Sequence, residues 1–356
     1  MALPAAGGNP PSNPISARQI GNEFGYTHPN DELRLGSYRT TNGQGNFPVS
    51  FGALQFNSID AQTGGTVPTS GQIKFSDFYS TKLQTVVNFY GSGKGGNRLV
   101  AKDRYNANSS GDVNVIGNYR TRPNNSSGTK VHIHVNQTIG SEKTRVEHCA
   151  LRTGSWDSST TLQVDVGGSG RIGGAGGDGG RGSDGPGAAV AGGSGTSGLG
   201  IQYSPTTVNV ASGGVITAGF GGGGGGAYDT DKEATRTSSG GGGGGGAGIP
   251  AGDGGGGGIN ANLNGEPGNA GSISEGGAGG SGRNNDGEAI SGAGGAGGEA
   301  SQAAGTGVTG TGGEGSTYQG EAGGPAGAAI RRNTGFVVNV TNNGSINGVQ
   351  NATTVL

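Results

Sequence analysis

Hydrophobic and polar residues alternate in several short stretches in the first half of the chain. The clearest are Lys130–Asn136 and Leu162–Val166, in which branched apolar residues occupy every second position. Gln84–Tyr90, Asp112–Tyr119 and Arg145–Leu151 are further candidates. A period of two is the pattern of a β-strand with one buried face. Because Asn, Ser and Gly separate these stretches, the pattern predicts a small antiparallel β-sandwich over residues 81–166.

The first 80 residues have a different pattern and predict a small module with short elements. Ser16 can cap a short helix that Gly25 ends. A second short element is expected at Ser70–Tyr79. A module of this size is too small for a large core, so it is either a self-contained cap or, as we favour, a docking module that completes its core against a partner chain. The candidate docking residues are Ile20, Phe24, Phe75, Phe78 and Tyr79.

Glycine dominates residues 167–330. The chain has 87 glycines among 356 residues, and three uninterrupted runs lie in this region, at Gly221–Gly226, Gly240–Gly246 and Gly254–Gly258. Polar inserts interrupt the region at Ala227–Ser239, Ile259–Pro267, Arg283–Glu288 and Ser316–Gln319. Apolar residues make up only 29% of the chain, so an ordinary core cannot hold this region together.

Backbone-to-backbone packing is the alternative to a side-chain core. Extended helices with three residues per turn, of the polyglycine II kind, have no internal hydrogen bonds, and without Cβ atoms they can pack side by side and bond one another. We therefore expect a body of packed polyglycine II helices with the polar inserts as exposed loops. A valine at Gly243 or Gly256 is expected to push neighbouring helices apart.

An internal repeat surrounds the glycine-rich region. The pattern Val-(Asp/Asn)-Val-x-x-x-Gly-x-Ile occurs at 164–172, 208–216 and 338–346. Each copy predicts a short strand, a turn and a second short strand. We interpret the copies as β-staples that frame the body, with residues 331–356 as the C-terminal staple.

Charge and composition exclude several classes of protein. The net charge of −2 argues against a nucleic-acid-binding protein. The sequence has no stretch of about 18 apolar residues, so it predicts no segment that inserts into a membrane. The N-terminus lacks the apolar segment of a signal peptide, so we expect synthesis and assembly in a cytoplasm.

Motifs that could carry chemistry are weak. Matches to G-x-G-x-x-G lack the strand-then-helix context that nucleotide binding requires. Gly173–Asp178 and Gly179–Asp184 resemble part of a calcium-binding β-roll repeat, but the apolar position is missing. His132, His134 and His148 could together hold a metal, although solvent-facing positions are the simpler interpretation. We expect no cofactor, no metal and no enzymatic activity.

Two parts of the sequence resemble tailed-bacteriophage structural proteins. Asn13–Gly25, Leu33–Arg39 and Ser70–Tyr79 resemble the opening of many such proteins, whose glycine-rich members occur in phages of marine cyanobacteria. In composition and layout, the glycine-rich region is similar to the tail-fibre-tip adhesins of T-even phages. That resemblance implies packed polyglycine helices that carry loops for recognition of the host surface, without implying which residues make contact.

The sequence as a whole therefore predicts a virion structural protein of the tail tip or fibre. Other virion proteins are expected to bind residues 1–80, a host glycan or outer-membrane protein is expected to bind the inserts, and a homo-oligomer is possible. Alternatives are a purely architectural virion protein, such as a baseplate, tail-tip or capsid decoration piece, and a secreted glycine-rich structural or ice-binding protein. The candidate receptor-contact residues are Tyr228, Asp229, Asp231, Lys232, Glu233, Arg236, Asn264, Glu266, Asn284, Asn285, Asp286 and Tyr318.

Overall fold

The part of the chain that the structure describes consists mainly of β-strands and of extended segments that belong to no sheet. The structure is a computed structural model. It describes residues 14–19, 40–41, 44–45, 54–55, 59–61, 71–78, 81–89, 105–106, 130–143, 145–154, 156, 158, 161–185, 187, 189–230, 237–259, 264–285, 289–300, 310 and 318–355. Helix among these residues is limited to a turn at 17–19 and a 3-10 helix at Phe75–Phe78, and neither approaches the length needed to cross a membrane.

The N-terminal helix starts with the predicted cap. Gln19 donates its backbone N–H to Ser16 Oγ at 3.2 Å, and Ser16 donates its backbone N–H to Gln19 Oε1 at 2.8 Å. This reciprocal pair is a capping box. Of the candidate docking residues, Phe75 is 43% exposed and Phe78 is fully buried. Ile20, Phe24 and Tyr79 lie outside the described residues.

Most strands belong to three sheets. The first contains β3 (Leu54–Gln55), β4 (Ile59–Ala61), β5 (Thr81–Phe89), β7 (Lys130–Val135), β10 (Thr161–Val166), β13 (Thr206–Val210) and β20 (Val338–Asn342). The second contains β8 (Thr138–Ile139), β11 (Arg171–Gly173), β14 (Val215–Thr217) and β21 (Ser345–Asn347). The third contains β6 (Tyr105–Asn106), β9 (Cys149–Arg152), β12 (Ser197–Ile201), β19 (Ile330–Arg332) and β22 (Ala352–Thr353).

Three small hairpins complete the described strands. They pair β1 (Thr40–Thr41) with β2 (Gln44–Gly45), β15 (Asp229–Thr230) with β16 (Thr237–Ser238), and β17 (Asn284–Asn285) with β18 (Ala289–Ile290).

The chain passes through the three sheets in the same order four times, which makes a three-sided parallel β-solenoid. The successive coils are β7–β8–β9, β10–β11–β12, β13–β14–β19 and β20–β21–β22. Val164, for example, pairs in parallel with Ile133 on one side and Val208 on the other. The expected antiparallel sandwich is therefore wrong for these strands. Alternation fixes which face of a strand is buried, but it carries no information on the direction of the neighbouring strand.

The internal repeat corresponds to successive coils of this solenoid. Ile172, Ile216 and Ile346 stack in register on the second sheet. In the first sheet the third copy is offset, because Val208 pairs with Val340 rather than with Val338. The sheets thus run through residues that we had assigned to separate units at 81–166, 167–330 and 331–356.

The solenoid encloses an apolar core that matches the predicted alternation. Ile133, Val135, Leu162, Val164 and Val166 are all buried, whereas the intervening residues of β10 are half-buried. A polar clamp joins the coils of the third sheet. The Arg331 side chain, only 9% exposed, donates Nε to Val146 O at 2.9 Å and an NH1 group to Thr353 O at 2.6 Å.

The glycine body leaves the solenoid at one corner. We use this name for residues 174–196 and 218–329, which connect the second sheet to the third in two successive coils. In the last coil residues 348–351 make the same connection directly. The body consists of antiparallel and parallel rods, the extended segments that cross it: 174–183, 189–196, 218–228, 238–249, 250–259, 264–272, 275–283, 291–299 and 318–329.

Hydrogen bonds between rods repeat every three residues. Gly240, Gly243 and Gly246 donate their N–H groups to rod 174–183. The residues one position later, which are every third residue from Gly241, donate their N–H groups to rod 291–299. The residues two positions later, every third residue from Gly242, donate theirs to rod 264–272. The carbonyl groups of rod 238–249 accept from three further rods, 218–228, 250–259 and 275–283. Rod 238–249 therefore lies in the centre, bonded to six neighbours.

Glycine is needed in the body for space. No described rod glycine has a positive φ, so the backbone conformation itself is open to other residues. A Cβ on Gly243 would overlap the carbonyl group of Gly223, whereas a Cβ on Gly256 would meet no atom within 4 Å. The expectation that both positions exclude side chains is thus wrong for Gly256, because rod 250–259 lies at the surface and exposes every third residue.

Candidate functional site

The rods end together at the side of the body that points away from the solenoid, which we call the distal end. Backbone hydrogen bonds between neighbouring rods place these ends at one level. The N–H group of the first residue donates to the carbonyl oxygen of the second in each of these pairs: Gly240 and Ser183, Gly226 and Gly241, Gly258 and Gly240, Gly265 and Gly258, Gly292 and Ala227, and Glu321 and Gly225. Three of the predicted polar inserts, at 227–239, 259–267 and 283–288, connect two rods at this end, and the fourth, Ser316–Gln319, leads into the distal start of rod 318–329. The body's opposite, proximal turns, at 249–251 and 272–275, lie toward the solenoid, since Ile249 donates to Gly174 beside β11.

Several candidate contact residues are consequently brought to the same surface. Asn264 and Glu266 are exposed, and Tyr318 is 40% exposed. Asn284 and Asn285 form β17, whose partner β18 lies beside the β15–β16 hairpin. Asp231, Lys232, Glu233, Arg236 and Asp286 lie outside the described residues.

Tyr228 and Asp229 lie beneath this surface. Tyr228 is 4% exposed and Asp229 is 1% exposed, so neither is available to a receptor as we had expected. Tyr228 packs edge-to-face on Tyr318, with ring centroids 6.1 Å apart and an interplanar angle of 71°. Burial, followed by the charges of Tyr318 and Asp229, raises the pKa of Tyr228, so its phenol is neutral at physiological pH. The buried ring of Tyr228 therefore supports the partly exposed side chain of Tyr318.

Sequence reasoning missed two apolar residues of the distal end. Ile259 is 65% exposed and Val190 is 55% exposed. They flank a charged pair, because Ile259 donates its N–H to the Asp184 carboxylate and Val190 donates its N–H to Arg181 O. Arg181 and Asp184 form an ion pair three residues apart. For Ile259, the available signal was a large residue placed directly at the end of a glycine run.

An ionic bridge fixes the body to the first coil. Lys143 Nζ lies 2.6 Å from Asp178 and 2.8 Å from Asp253, on two different rods. Burial lowers the pKa of Lys143, but the hydrogen bonds and charges of the two aspartates outweigh it and the pKa is raised. Asp253 also donates its N–H to Asp178 Oδ1 at 2.8 Å.

The solenoid offers a second candidate surface. An open cleft of about 290 Å³ lies along the first sheet and is lined partly by Asn136, Asp165, Asn209 and Thr341. Asp165 accepts from Gln163 at 2.7 Å and from Asn209 at 2.9 Å. Within the part of the chain that the structure describes, no three His, Cys, Asp or Glu side chains are grouped as metal ligands. The side chains of His132 and His134 are not in that part.

Comparison with known proteins gives one family. A model described as "Phage tail fibre adhesin Gp38" matches residues 97–351, which include the described solenoid from β6 to β21 and the glycine body. The crystal structure of the gp37-gp38 adhesin tip complex of the bacteriophage S16 long tail fiber aligns over 79% of this chain and 88% of that chain. The identity is 18% and the TM-score 0.34, a likeness that does not by itself establish a shared fold. No curated protein matches the chain.

Proposed function

Because the chain belongs to the phage tail fibre adhesin family Gp38, we propose that the distal end of its glycine body is the surface that contacts the host. The protein is a tail fibre component of the virion that takes part in host recognition. The single observation that carries the proposal is that the inserts between rods emerge together at one end, opposite the turns that face the solenoid.

The chemistry of the distal end supports binding to a surface with both apolar and polar groups. Val190, Ile259 and Tyr318 are exposed there beside Asn264 and Glu266. Aromatic and branched side chains supply contact area, and the polar groups supply directed hydrogen bonds. A host glycan or an outer-membrane protein would each find suitable partners. Binding alone is sufficient for this role, so the proposal includes no enzymatic activity.

The proposal includes the architecture that holds the inserts. The glycine body is a bundle of polyglycine II helices, which have three residues per turn. In support, three successive residues of rod 238–249 donate to three different neighbours, and the same neighbour recurs every third residue. Proline occurs within rods at Pro267 and Pro325, and its fixed φ suits this conformation. Inserts held at both ends by such rods lose less entropy on binding than free loops.

Attachment to the virion is a further part of the proposal. Residues 1–80 contact another virion protein, in line with the exposed Phe75 ring, and assembly takes place in the host cytoplasm. The S16 protein is named as one member of a gp37-gp38 complex, which is a precedent for a fibre partner. A chain lacking residues 1–80 should fail to enter particles.

The test of the distal end uses two matched substitutions. Ile259 is 65% exposed at the distal end, and Ile273 is 46% exposed in a proximal turn. Phage carrying Ile259→Ser should adsorb to host cells more slowly, and phage carrying Ile273→Ser should adsorb like the parent. Replacing Asp231–Arg236 with a Gly/Ser loop of equal length extends the test to the longest insert.

Normal adsorption by particles that contain both distal variants at parental levels would overturn the proposal. It would favour a purely architectural role for the chain in the virion. A receptor of either class would be identified by whether purified glycan or purified outer-membrane protein competes for adsorption.

A further inference from the structure

The cleft on the first sheet is formed by outward-facing residues of three successive coils. Asp165 on β10 pairs in register with Asn209 on β13, which pairs in turn with Thr341 on β20. The residues on both sides of Asp165 and of Asn209 are buried, so these two side chains face away from the core. Because neighbouring strands lie about 4.8 Å apart, the three polar side chains form one continuous wall of the cleft.

Small residues form the floor of the cleft. Backbone hydrogen bonds extend the sheet past the ends of the strands, so that Gly167, Ala211 and Asn343 form a second row two positions further on. Since Gly167 has no side chain and Ala211 has only a methyl group, a depression remains between Asn136 on one side and Asn343 on the other. A Cβ on Gly167 would overlap Asn136 Oδ1, so the glycine leaves room for that amide to lie within the cleft.

The carboxylate of Asp165 is held in place by its neighbours. Its Oδ1 atom accepts hydrogen bonds from Gln163 Nε2 at 2.7 Å and from Asn209 Nδ2 at 2.9 Å. Hydrogen bonds to a charged acceptor are stronger than those between neutral groups, so these two bonds order both amides as well as the carboxylate. Groups that are ordered before a ligand arrives lose less entropy when they bind it.

The chemistry of the lining selects one class of ligand. The described residues that line the cleft supply amides, a hydroxyl and one carboxylate, but no cation and no aromatic ring. The carboxylate would repel a phosphate or another anion, a flat aromatic ligand would find no ring to stack on, and a metal ion would find a single carboxylate. Amides, hydroxyls and carboxylates match a ligand with several neighbouring hydroxyl groups, each of which both donates and accepts hydrogen bonds. The methyl group of Ala211 suits the C–H face of a sugar ring.

We propose that this cleft is a binding site for a neutral sugar ring, separate from the distal end of the glycine body. Its volume of about 290 Å³ is close to the lower limit for small-molecule pockets, roughly 300 Å³. Asp165 and Asn209 bind adjacent hydroxyl groups, Asn136 and Asn343 close the two sides, and Ala211 contacts the ring. Because the cleft is open, the dissociation constant for a single ring is on the order of millimolar. The site recognises the ring as a free sugar or as one unit of a glycan chain.

The experiment measures binding of neutral hexoses to the purified full-length chain by saturation-transfer difference NMR. The probes are glucose, galactose and mannose, and the charged comparison is glucuronate, which carries a carboxylate. At least one hexose should bind in a saturable manner. Glucuronate should bind more weakly than glucose, because its charge has the same sign as that of Asp165.

Two variants test the location of the bound sugar. Asn209→Ala removes an amide from the wall, and Ala211→Leu fills the floor without adding a ring on which a sugar could stack. Each should weaken hexose binding by about fivefold or more, since the loss of one hydrogen bond has an effect of this size. Thr207→Ala is the matched control and should bind like the parent, because Thr207 lies on the same strand and face as Asn209 but does not line the cleft. Circular dichroism melts identify the variants that fold.

Two results would overturn the proposal. One is a parent chain that binds none of the hexoses in a saturable manner; if Asn209→Ala then also removes the chain from purified phage particles, the cleft is a contact with another virion protein. The other is equal hexose binding by the parent and the folded cleft variants, which would place the sugar elsewhere on the chain. Competition by purified polysaccharide from the host surface would identify a glycan chain as the source of the ring, and its absence would identify free sugar. The assay contains no host cells, so failure of the host-contact proposal would leave this result interpretable.

Discussion

At the scale of single residues, the room for one carbon atom decides which positions of the glycine body can change. Gly243 lies in the central rod, where a Cβ would overlap the backbone of Gly223. Gly256 has the same neighbours in sequence, glycine on both sides, but lies on the solvent side of an outer rod. We expect Gly243→Ala to lower the free energy of unfolding by roughly 3 kcal/mol or more, because rods must separate to admit the methyl group.

Gly256→Ala is the matched control. It should leave stability unchanged or raise it by up to about 1 kcal/mol, since alanine has fewer unfolded conformations and fits the native φ. Thermal melts of the two purified variants beside the parent make the comparison. Equal effects of the two substitutions would contradict the close-packing argument.

At the scale of elements, the bridge from Lys143 to two rods determines how firmly the body is held against the first coil. Lys143→Met should lower the free energy of unfolding by about 0.5–1 kcal/mol, a small value because both aspartates are largely exposed. The folded pKa of Lys143 is raised above its ordinary value of 10.5. The bridge therefore contributes fully below that pH, and its contribution is lost as the pH rises through the folded pKa.

The measurement is the difference in melting temperature between the parent and Lys143→Met at pH 7, 9 and above 10.5. The difference should be constant at the two lower values and shrink at the highest. Lys74→Met, at an exposed lysine outside the solenoid and body, controls for general effects of charge removal. A difference that grows with pH would contradict the assignment.

Elements also show how far the sequence could be interpreted. Alternation at Leu162–Val166 predicted both the strand and its buried face, and Ser16 predicted the start of its helix. The parallel pairing was not predictable in this way, because a Gly-rich connection between strands suits a tight hairpin and a long excursion equally. The burial of Tyr228 and the exposure of Ile259 depend on where each rod ends, which composition alone does not specify.

At the scale of the whole molecule, the solenoid and the glycine body are joined in a way that makes the second an insertion into the first. Thr217, directly before residues 218–329, pairs with Asn347, and Arg331, shortly after them, pairs with Ala352. Between Asn347 and Ala352 of the last coil, residues 348–351 make the same connection. Replacing 218–329 with the sequence Gly348–Asn351 should therefore leave a folded solenoid. The expected result is a β-type circular dichroism spectrum with a cooperative melt. A chain that is unfolded at room temperature would show instead that the body is needed to complete the solenoid core.

The hydrogen bonds along each rod recur every third residue, and this period limits which insertions and deletions the gene can tolerate. Adding one residue within a rod would turn every later N–H toward the wrong neighbour, whereas adding three would restore each one to its former partner. Viable insertions and deletions in the rods of this gene should therefore come in multiples of nine nucleotides, and any multiple of three should suffice in the distal inserts. Natural variation would then accumulate in the distal inserts, while the framework that carries them changes only in whole turns.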